Sequence, residues 1–175
     1  MKTMMGIILI SCFAGAAELV SLKDYLKSEL AHSKKMSKEV FKLEDEQKKI
    51  MKNLAPNSDD DGFTFYYGKS EAGDIEKACT VVPQQGKEGP LSVGICFSHS
   101  GLVSSVTVLT SEEVRGKKVT EASFLDQFKG KKVSDAYQVG KDVNGISGAT
   151  WSSNSVSEAI RKSGFAYKTF VGGKK

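Results

Sequence analysis

The segment that most constrains the fold is LSVGICFS, residues 91–98. Its large apolar side chains alternate strictly with small or polar ones. A period of two residues is typical of a β-strand, and the difference in polarity predicts that one face of this strand is buried while the other is solvated. Such a strand needs neighbouring strands to pair with and a second layer to cover its apolar face.

Other segments of the chain supply both requirements. The β-prone runs are residues 40–43, 63–67, 75–82 and 103–109. Amphipathic patterns predict helices over residues 21–32, 44–54 and 120–129. We therefore expect an α+β fold, a largely antiparallel sheet with flanking helices.

The C-terminal part of the chain predicts three further elements. A strand is expected over residues 137–143. A helix is expected to begin at Ser152 or Ser153 and to end at Gly164, since glycine commonly follows the last helical turn. Residues 165–171 are β-prone and predict a final strand.

Length and charge limit the number of domains and the kinds of partner. The 175 residues are the size of one domain, and the net charge of +4 comes from 25 basic and 21 acidic residues. The lysines are interleaved with acids, which is typical of a solvated surface, so we expect no nucleic-acid partner. We also expect no metal site: no Cys/His cluster supports zinc or haem, and the acidic run at residues 59–61 lacks calcium-loop spacing and predicts a solvated turn.

The N-terminus resembles a targeting segment. Lys2 precedes a short apolar run that ends in small residues, so residues 1–16 are predicted to be a signal peptide cleaved after Ala16. A second reading is a bacterial lipobox, in which Cys12 becomes lipidated and anchors the chain. Either reading predicts export, to the periplasm or the cell envelope.

Two cysteines remain after such processing. Cys79 and Cys96 lie on either side of a turn-rich loop whose centre is almost midway between them, so a hairpin would bring them roughly opposite each other. In an oxidising compartment such a pair can form a disulfide. The alternative is two small buried apolar residues on neighbouring strands.

The sequence NGISGATWSSNSV, residues 144–156, concentrates hydroxyls and glycines just before the predicted C-terminal helix. A nucleophilic Ser147 is disfavoured, because GISGA lacks the final glycine of GxSxG and both histidines, His32 and His99, precede it. A second possibility is a phosphate seat, in which the free N–H groups of the helix start bind an anion. A third is an ordinary N-cap turn, which the residues alone favour over the phosphate seat.

Residues 146–153, ISGATWSS, resemble the flavinylation motif of the FMN-binding domain family, which includes flavin-bearing subunits of sodium-pumping NADH–quinone reductases. The resemblance extends over residues 88–164. It includes the strand pair at 89–95 and 100–106, Glu113, Arg115-Gly116 and residues 124–131. We accordingly predict one FMN-binding domain over residues 86–166, preceded by an N-terminal helical and strand region over 17–85.

This resemblance implies a covalent cofactor. By the family motif, Thr150 carries FMN through a phosphoester bond, and Ser147, Gly148 and Ala149 shape the turn beneath the phosphate. Trp151 and Ser152 complete the expected cofactor-binding set, with Trp151 either stacked on the flavin ring or packed in the protein. Asn144 departs from the family pattern, which commonly has an acid six residues before the threonine; the nearest acid is Asp142.

The resemblance also implies a function and partners. We expect an exported electron carrier rather than a stand-alone enzyme, with no catalytic residues of its own. A separate flavin transferase would attach FMN from FAD, and membrane or periplasmic redox proteins would be its electron-transfer partners. Two alternatives are a non-redox binding or structural module of the same fold, with Thr150 unmodified, and a reductase that binds FMN non-covalently.

Overall fold

The computed structural model describes residues 17–56, 58–114 and 117–174. The predicted signal peptide, residues 1–16, and the alternative lipidation site at Cys12 lie outside these residues, as do Arg115 and Gly116.

The described part of the chain forms one sheet of six antiparallel strands in the order β1-β6-β5-β4-β3-β2. The strands are β1 (Ala17–Glu18), β2 (Lys35–Lys42), β3 (Gly62–Lys69), β4 (Ile75–Gln85), β5 (Pro90–Ser98) and β6 (Val103–Ser111). Consecutive strands from β2 to β6 are neighbours, as in a meander built from hairpins. The α+β prediction is confirmed.

Helices cover both faces of this sheet. They are α1 (Leu22–Glu29), α2 (Asp45–Leu54), α3 (Ala122–Leu125) and α4 (Thr150–Phe170), with 3₁₀ turns at Lys117–Thr120 and Asp126–Phe128. Residues of α2, α3 and α4 pack into the larger core cluster, on what we call the α4 face of the sheet. Tyr25 and Leu30, from α1 and its end, form a second cluster with Cys79, Cys96 and Leu109 on the α1 face.

The prediction that β5 is half-buried is wrong. Its apolar residues face α4 as expected, but Gly94 and Cys96 on the other side are also buried. The reason is α1: a Cβ on Gly94 would lie 2.6 Å from Cζ of Tyr25. The small residues that suggested a solvated face instead make room for a packed helix.

The C-terminal prediction is also corrected. The helix begins at Thr150 rather than at Ser152 or Ser153, continues through Gly164 and ends at Phe170, so the predicted strand over 165–171 does not form. Gly164 is a packing position: a Cβ there would lie 2.7 Å from the carbonyl oxygen of Val133. The helix needs a glycine at this point because another segment passes close to it.

Residues 137–143 form a turn rather than the predicted strand. Only an isolated bridge joins Val139 and Val143. The Asp142 carboxylate accepts hydrogen bonds from the backbone N–H groups of Tyr137 and Gln138, at 3.0 and 2.6 Å, and Tyr137 has a φ of 47°. The predicted helix over 120–129 is likewise reduced to α3 and a following 3₁₀ turn.

Cys79 and Cys96 are directly opposite in the β4–β5 register, and the structure joins them by a disulfide bond. Both are fully buried beneath α1. The Tyr25 hydroxyl lies 3.1 Å from the Cys96 sulfur. The cross-link therefore lies inside the smaller core cluster.

Candidate functional site

The Ser-Gly-Ala-Thr stretch forms a tight turn that leads directly into α4. The Ala149 N–H donates to the Ile146 carbonyl at 2.9 Å, which closes a four-residue turn around Ser147 and Gly148. Gly148 has a φ of +77°, a conformation that the third position of a type II turn requires and that residues with a Cβ adopt only at a cost. A glycine at this position lets the turn end where the helix begins.

Ser153 fixes the turn to the first turn of the helix. Its hydroxyl accepts from the Ile146 N–H at 3.1 Å and donates to the Ala149 carbonyl at 2.9 Å. The Ser153 N–H makes the first helical hydrogen bond, also to Ala149 at 2.9 Å. The sequence predicts this buried serine as a helix start and not as a site residue.

The remaining predicted site residues divide into two groups. Ser147, Gly148, Thr150 and Trp151 are exposed, whereas Ala149 and Ser152 are buried. Trp151 keeps 54% of its surface accessible, so it is not a core residue. Thr150 is therefore accessible at the surface.

The start of α4 has the electrostatics of an anion site. The helix has 21 residues, and no side chain caps its N-terminus at Ala149. The N–H groups of its first turn have no partner within the helix, and aligned peptide dipoles make this end positive.

The buried Ser152 hydroxyl points towards the protein interior, where it donates to the Glu113 carboxylate. Glu113 is only 7% exposed and also accepts from the Glu88 N–H at 3.0 Å. Sequence reasoning included Glu113 only in the family resemblance and did not assign it a contact. No periodic pattern marks it, because its partners lie 25 and 39 residues away in the chain.

The position of the family acid is occupied by an exposed Asn144 whose backbone is held by one side chain. Its N–H donates to Gln127 Oε1 at 2.8 Å, and Gln127 Nε2 donates to its carbonyl at 3.2 Å. Asp142, the nearest acid, accepts hydrogen bonds within the 137–143 turn. Although partial burial acts in the opposite direction, hydrogen bonds from the backbone N–H groups of Gln138 and Tyr137 hold the pKa of Asp142 below its ordinary value of 3.8.

Two depressions flank the start of α4. The larger, of about 500 Å³, extends along Trp151, Asn154 and Glu158 to the β4–β5 hairpin. The smaller, of about 210 Å³, lies on the side of Asn144 and Ile146. Each depression has one aromatic residue in its wall, Trp151 in the larger and Phe124 in the smaller, and of these only Trp151 is adjacent to Thr150 in the sequence.

A buried ion pair closes one end of the larger cleft. Lys162, only 2% exposed, donates to Asp60 at 2.7 Å and reaches the Pro83 carbonyl at 3.4 Å. The acidic run at 59–61 is therefore not simply a solvated turn, since Asp60 ties its loop to α4. In the described ranges, no group of three or more potential metal ligands occurs.

The family comparison agrees with this geometry. A model described as the FMN-binding domain matches residues 86–163. Residues 86–163 are an FMN-binding domain. The domain begins at the tip of the β4–β5 hairpin and ends within α4, so it includes the Gly148 turn, Thr150 and Glu113. Strands β1 to β4 and helices α1 and α2 precede the matched segment, and these four strands belong to the same sheet as β5 and β6.

Two solved structures resemble the fold of this chain over more than the FMN-binding domain alone. One is NqrC of Shewanella oneidensis, at 15% identity, with 84% of this chain and 86% of that chain covered and a TM-score of 0.57. The other belongs to the Na⁺-translocating NADH-quinone reductase of Parabacteroides distasonis, at 18% identity, with 79% of each chain covered and a TM-score of 0.56. At these identities the likeness shows the fold alone. No curated protein sequence matches the chain.

The helices of the described residues include no candidate membrane span. Within residues 17–56, 58–114 and 117–174, no helix is both long and apolar enough to cross a bilayer.

Proposed function

We propose that this protein is an exported electron carrier whose FMN is joined to Thr150 by a phosphoester bond. The observation that carries the proposal is the position of Thr150. Within an FMN-binding domain, an exposed threonine stands at the first position of a long uncapped helix, directly after a glycine turn.

The start of α4 suits a phosphate that is bonded to Thr150. The free N–H groups of the first helical turn and the positive end of the helix dipole both stabilise an anion there. The exposed Ser147 hydroxyl lies in the preceding turn and is available as a further donor. These groups are in place before any ligand binds, because Ser153 holds the turn against the helix.

Trp151 is the residue best placed to contact the flavin ring. Its exposed indole lies on the wall of the larger cleft, one residue after Thr150. An aromatic face stacks favourably on a flat heteroaromatic ring. We propose that the ring lies against Trp151, so that the cleft limits its access to water; when bound, the isoalloxazine group accepts and returns electrons.

Attachment requires an external enzyme in this proposal. A threonine hydroxyl needs activation, and the nearby buried carboxylate of Glu113 is already engaged by Ser152 and by the backbone of Glu88. A flavin transferase would supply the base. Thr150 Oγ1 bonds to the flavin phosphorus of FAD, the pyrophosphate bond breaks, AMP leaves, and the hydroxyl proton passes to the transferase.

Export and partners form the second part of the proposal. The buried Cys79–Cys96 disulfide is typical of an oxidising compartment, and the predicted signal peptide or Cys12 lipid anchor would bring the chain there. The two structural neighbours are described as NqrC and as part of an NADH-quinone reductase. We propose membrane or periplasmic redox proteins as electron donor and acceptor.

Intact mass of the protein co-expressed with a flavin transferase tests this function. We expect the wild-type protein to gain the mass of FMN minus water and to stay yellow after denaturation. Thr150→Val should lose both properties, whereas Thr169→Val, which makes the same change at an exposed threonine near the other end of α4, should keep the covalent flavin. If the wild-type protein keeps its unmodified mass although the transferase is active, the covalent carrier is contradicted and the non-redox module is favoured. If the protein is yellow but loses its colour on denaturation, its FMN is bound non-covalently.

A further inference from the structure

The strongest candidate outside the attachment residue is the buried Glu113. Its two carboxylate oxygens serve two different donors: Oε1 accepts from the Glu88 N–H at 3.0 Å, and Oε2 accepts from the Ser152 hydroxyl. The N–H of Glu113 in turn donates to Ser111 Oγ at 3.1 Å. In the described residues, the donors that hold this buried carboxyl group are a backbone N–H and a hydroxyl, and such partners offset the loss of hydration on burial.

The contacts of Glu113 join three segments that are distant in sequence. These are the tip of the β4–β5 hairpin, the end of β6 and the first turn of α4. There is no spare room around the carboxylate, since a Cβ on Gly86 would lie 2.2 Å from Glu113 Oε1. The Glu88 carboxylate also accepts from the Val114 N–H, so the hairpin tip and the segment after β6 hold each other in both directions.

The Ser152 contact determines which side of α4 faces the protein. Successive residues of an α-helix are about 100° apart around the axis, so Thr150 and Ser152 point roughly 200° apart. Because the Glu113 carboxylate draws Ser152 inward, Thr150 must face outward. The burial agrees: Ser152 is 1% exposed, and Thr150 is exposed.

We propose that Glu113 is a positioning residue for flavin attachment. It holds Ser152 and thereby sets the rotation and starting point of α4, which presents the Thr150 hydroxyl and the free N–H groups of the first turn to the incoming phosphate. The inference rests on the proposed function, because it concerns the same threonine. It adds a separate claim: the orientation of Thr150 is set by the buried carboxylate of Glu113, which lies 37 residues before Thr150 in the sequence.

The test is the initial rate of covalent FMN incorporation, measured with a purified flavin transferase and FAD on purified protein. Glu113→Ala removes both acceptors, and we expect kcat to fall roughly tenfold or more, because small misplacements of a reacting atom are costly. The KM for FAD should not change, since FAD binds to the transferase. Ser152→Ala should lower kcat in the same direction, and the double variant should be no slower than Glu113→Ala.

Glu113→Gln separates positioning from charge. Its amide oxygen can accept from the Glu88 N–H, and its amide nitrogen can donate to Ser152 Oγ, so the tie to α4 survives without the charge. We expect Gln to restore most of the kcat that Ala loses, to within roughly threefold of wild type. Equal losses in Gln and Ala would overturn the positioning role.

Ser163→Ala is the matched control for stability. Ser163 is a fully buried serine of the same helix, and its hydroxyl donates within the helix to the Ala159 carbonyl at 2.8 Å. The variant should lose stability in urea unfolding but keep its rate of flavin incorporation. If Glu113→Ala incorporates FMN at the wild-type rate, positioning by Glu113 is wrong and the proposed function stands; if the wild-type protein itself takes no FMN, both fall.

Discussion

At the scale of single residues, the site depends on positions whose roles come from backbone geometry and from distant partners. Gly148 was predictable, since a glycine before a helix favours a turn with positive φ. Glu113 was not. Its contact with Ser152 joins segments that no local pattern relates, because a hydrogen bond between residues 39 positions apart leaves no periodic trace in the sequence.

Gly148→Ala tests the turn at the residue scale. Nothing lies within 4 Å of a Cβ at this position, so the cost comes only from the φ of +77°, about 1–2 kcal/mol of unfolding free energy. We also expect slower flavin attachment, because the turn must change its shape. Gly130→Ala is the matched control, with the same φ of +77° and equally open space in another turn. It should lose similar stability in urea and keep the attachment rate; equal attachment rates in the two variants would contradict the role of the turn.

At the scale of elements, local patterns predicted what local forces decide. The alternation over 91–98 correctly predicted a strand, and the amphipathic pattern over 44–54 closely matched α2. Elements held by tertiary contacts were predicted wrongly. The helix end expected at Gly164 does not occur, because that glycine is there to let Val133 pack against α4. The strand expected over 137–143 does not form, because the Asp142 carboxylate folds these residues into a turn.

The 137–143 turn should respond to pH. The pKa of the Asp142 carboxyl is lowered in the folded protein because backbone N–H groups favour its charged form over the opposing effect of burial. Its contribution to stability is therefore complete above the unfolded-state pKa and is lost as pH falls through the lower folded-state pKa. We expect urea midpoints to fall as the pH drops below the unfolded-state pKa of an aspartate, about 3.9. In Asp142→Asn, the urea midpoint should fall less steeply with decreasing pH than in the wild-type protein. Identical pH profiles for the two proteins would contradict the role of the Asp142 carboxylate in this turn.

At the scale of the whole molecule, one continuous sheet supports the FMN-binding domain and the segment before it. Residues 86–163 match the family, but β5 pairs along its whole length with β4, which precedes that match. The N-terminal region also supplies α1, which covers the second face of the sheet. A sequence pattern could not show this cover, because the small residues that accept α1 also fit a solvated strand.

The Cys79–Cys96 disulfide should stabilise this whole arrangement. The cysteines are 17 residues apart in sequence, and closing a loop of that size in the unfolded chain is worth about 3 kcal/mol in the chain-entropy model. For a chain of this size we expect Cys79→Ala/Cys96→Ala to lower Tm by roughly 6–12 °C. Differential scanning calorimetry in oxidising buffer measures this, and the control is wild-type protein unfolded, reduced and refolded in a buffer that contains a reductant. Unchanged Tm values would show that the bond does not support the fold.

The most direct test of the central claim is the intact mass of mature protein isolated from its native cell envelope, followed by mapping of the modified peptide. We predict an added mass of FMN minus one water, located on the peptide that contains Thr150. A mature chain that weighs only what its amino acids and N-terminal processing require would contradict the covalent electron carrier.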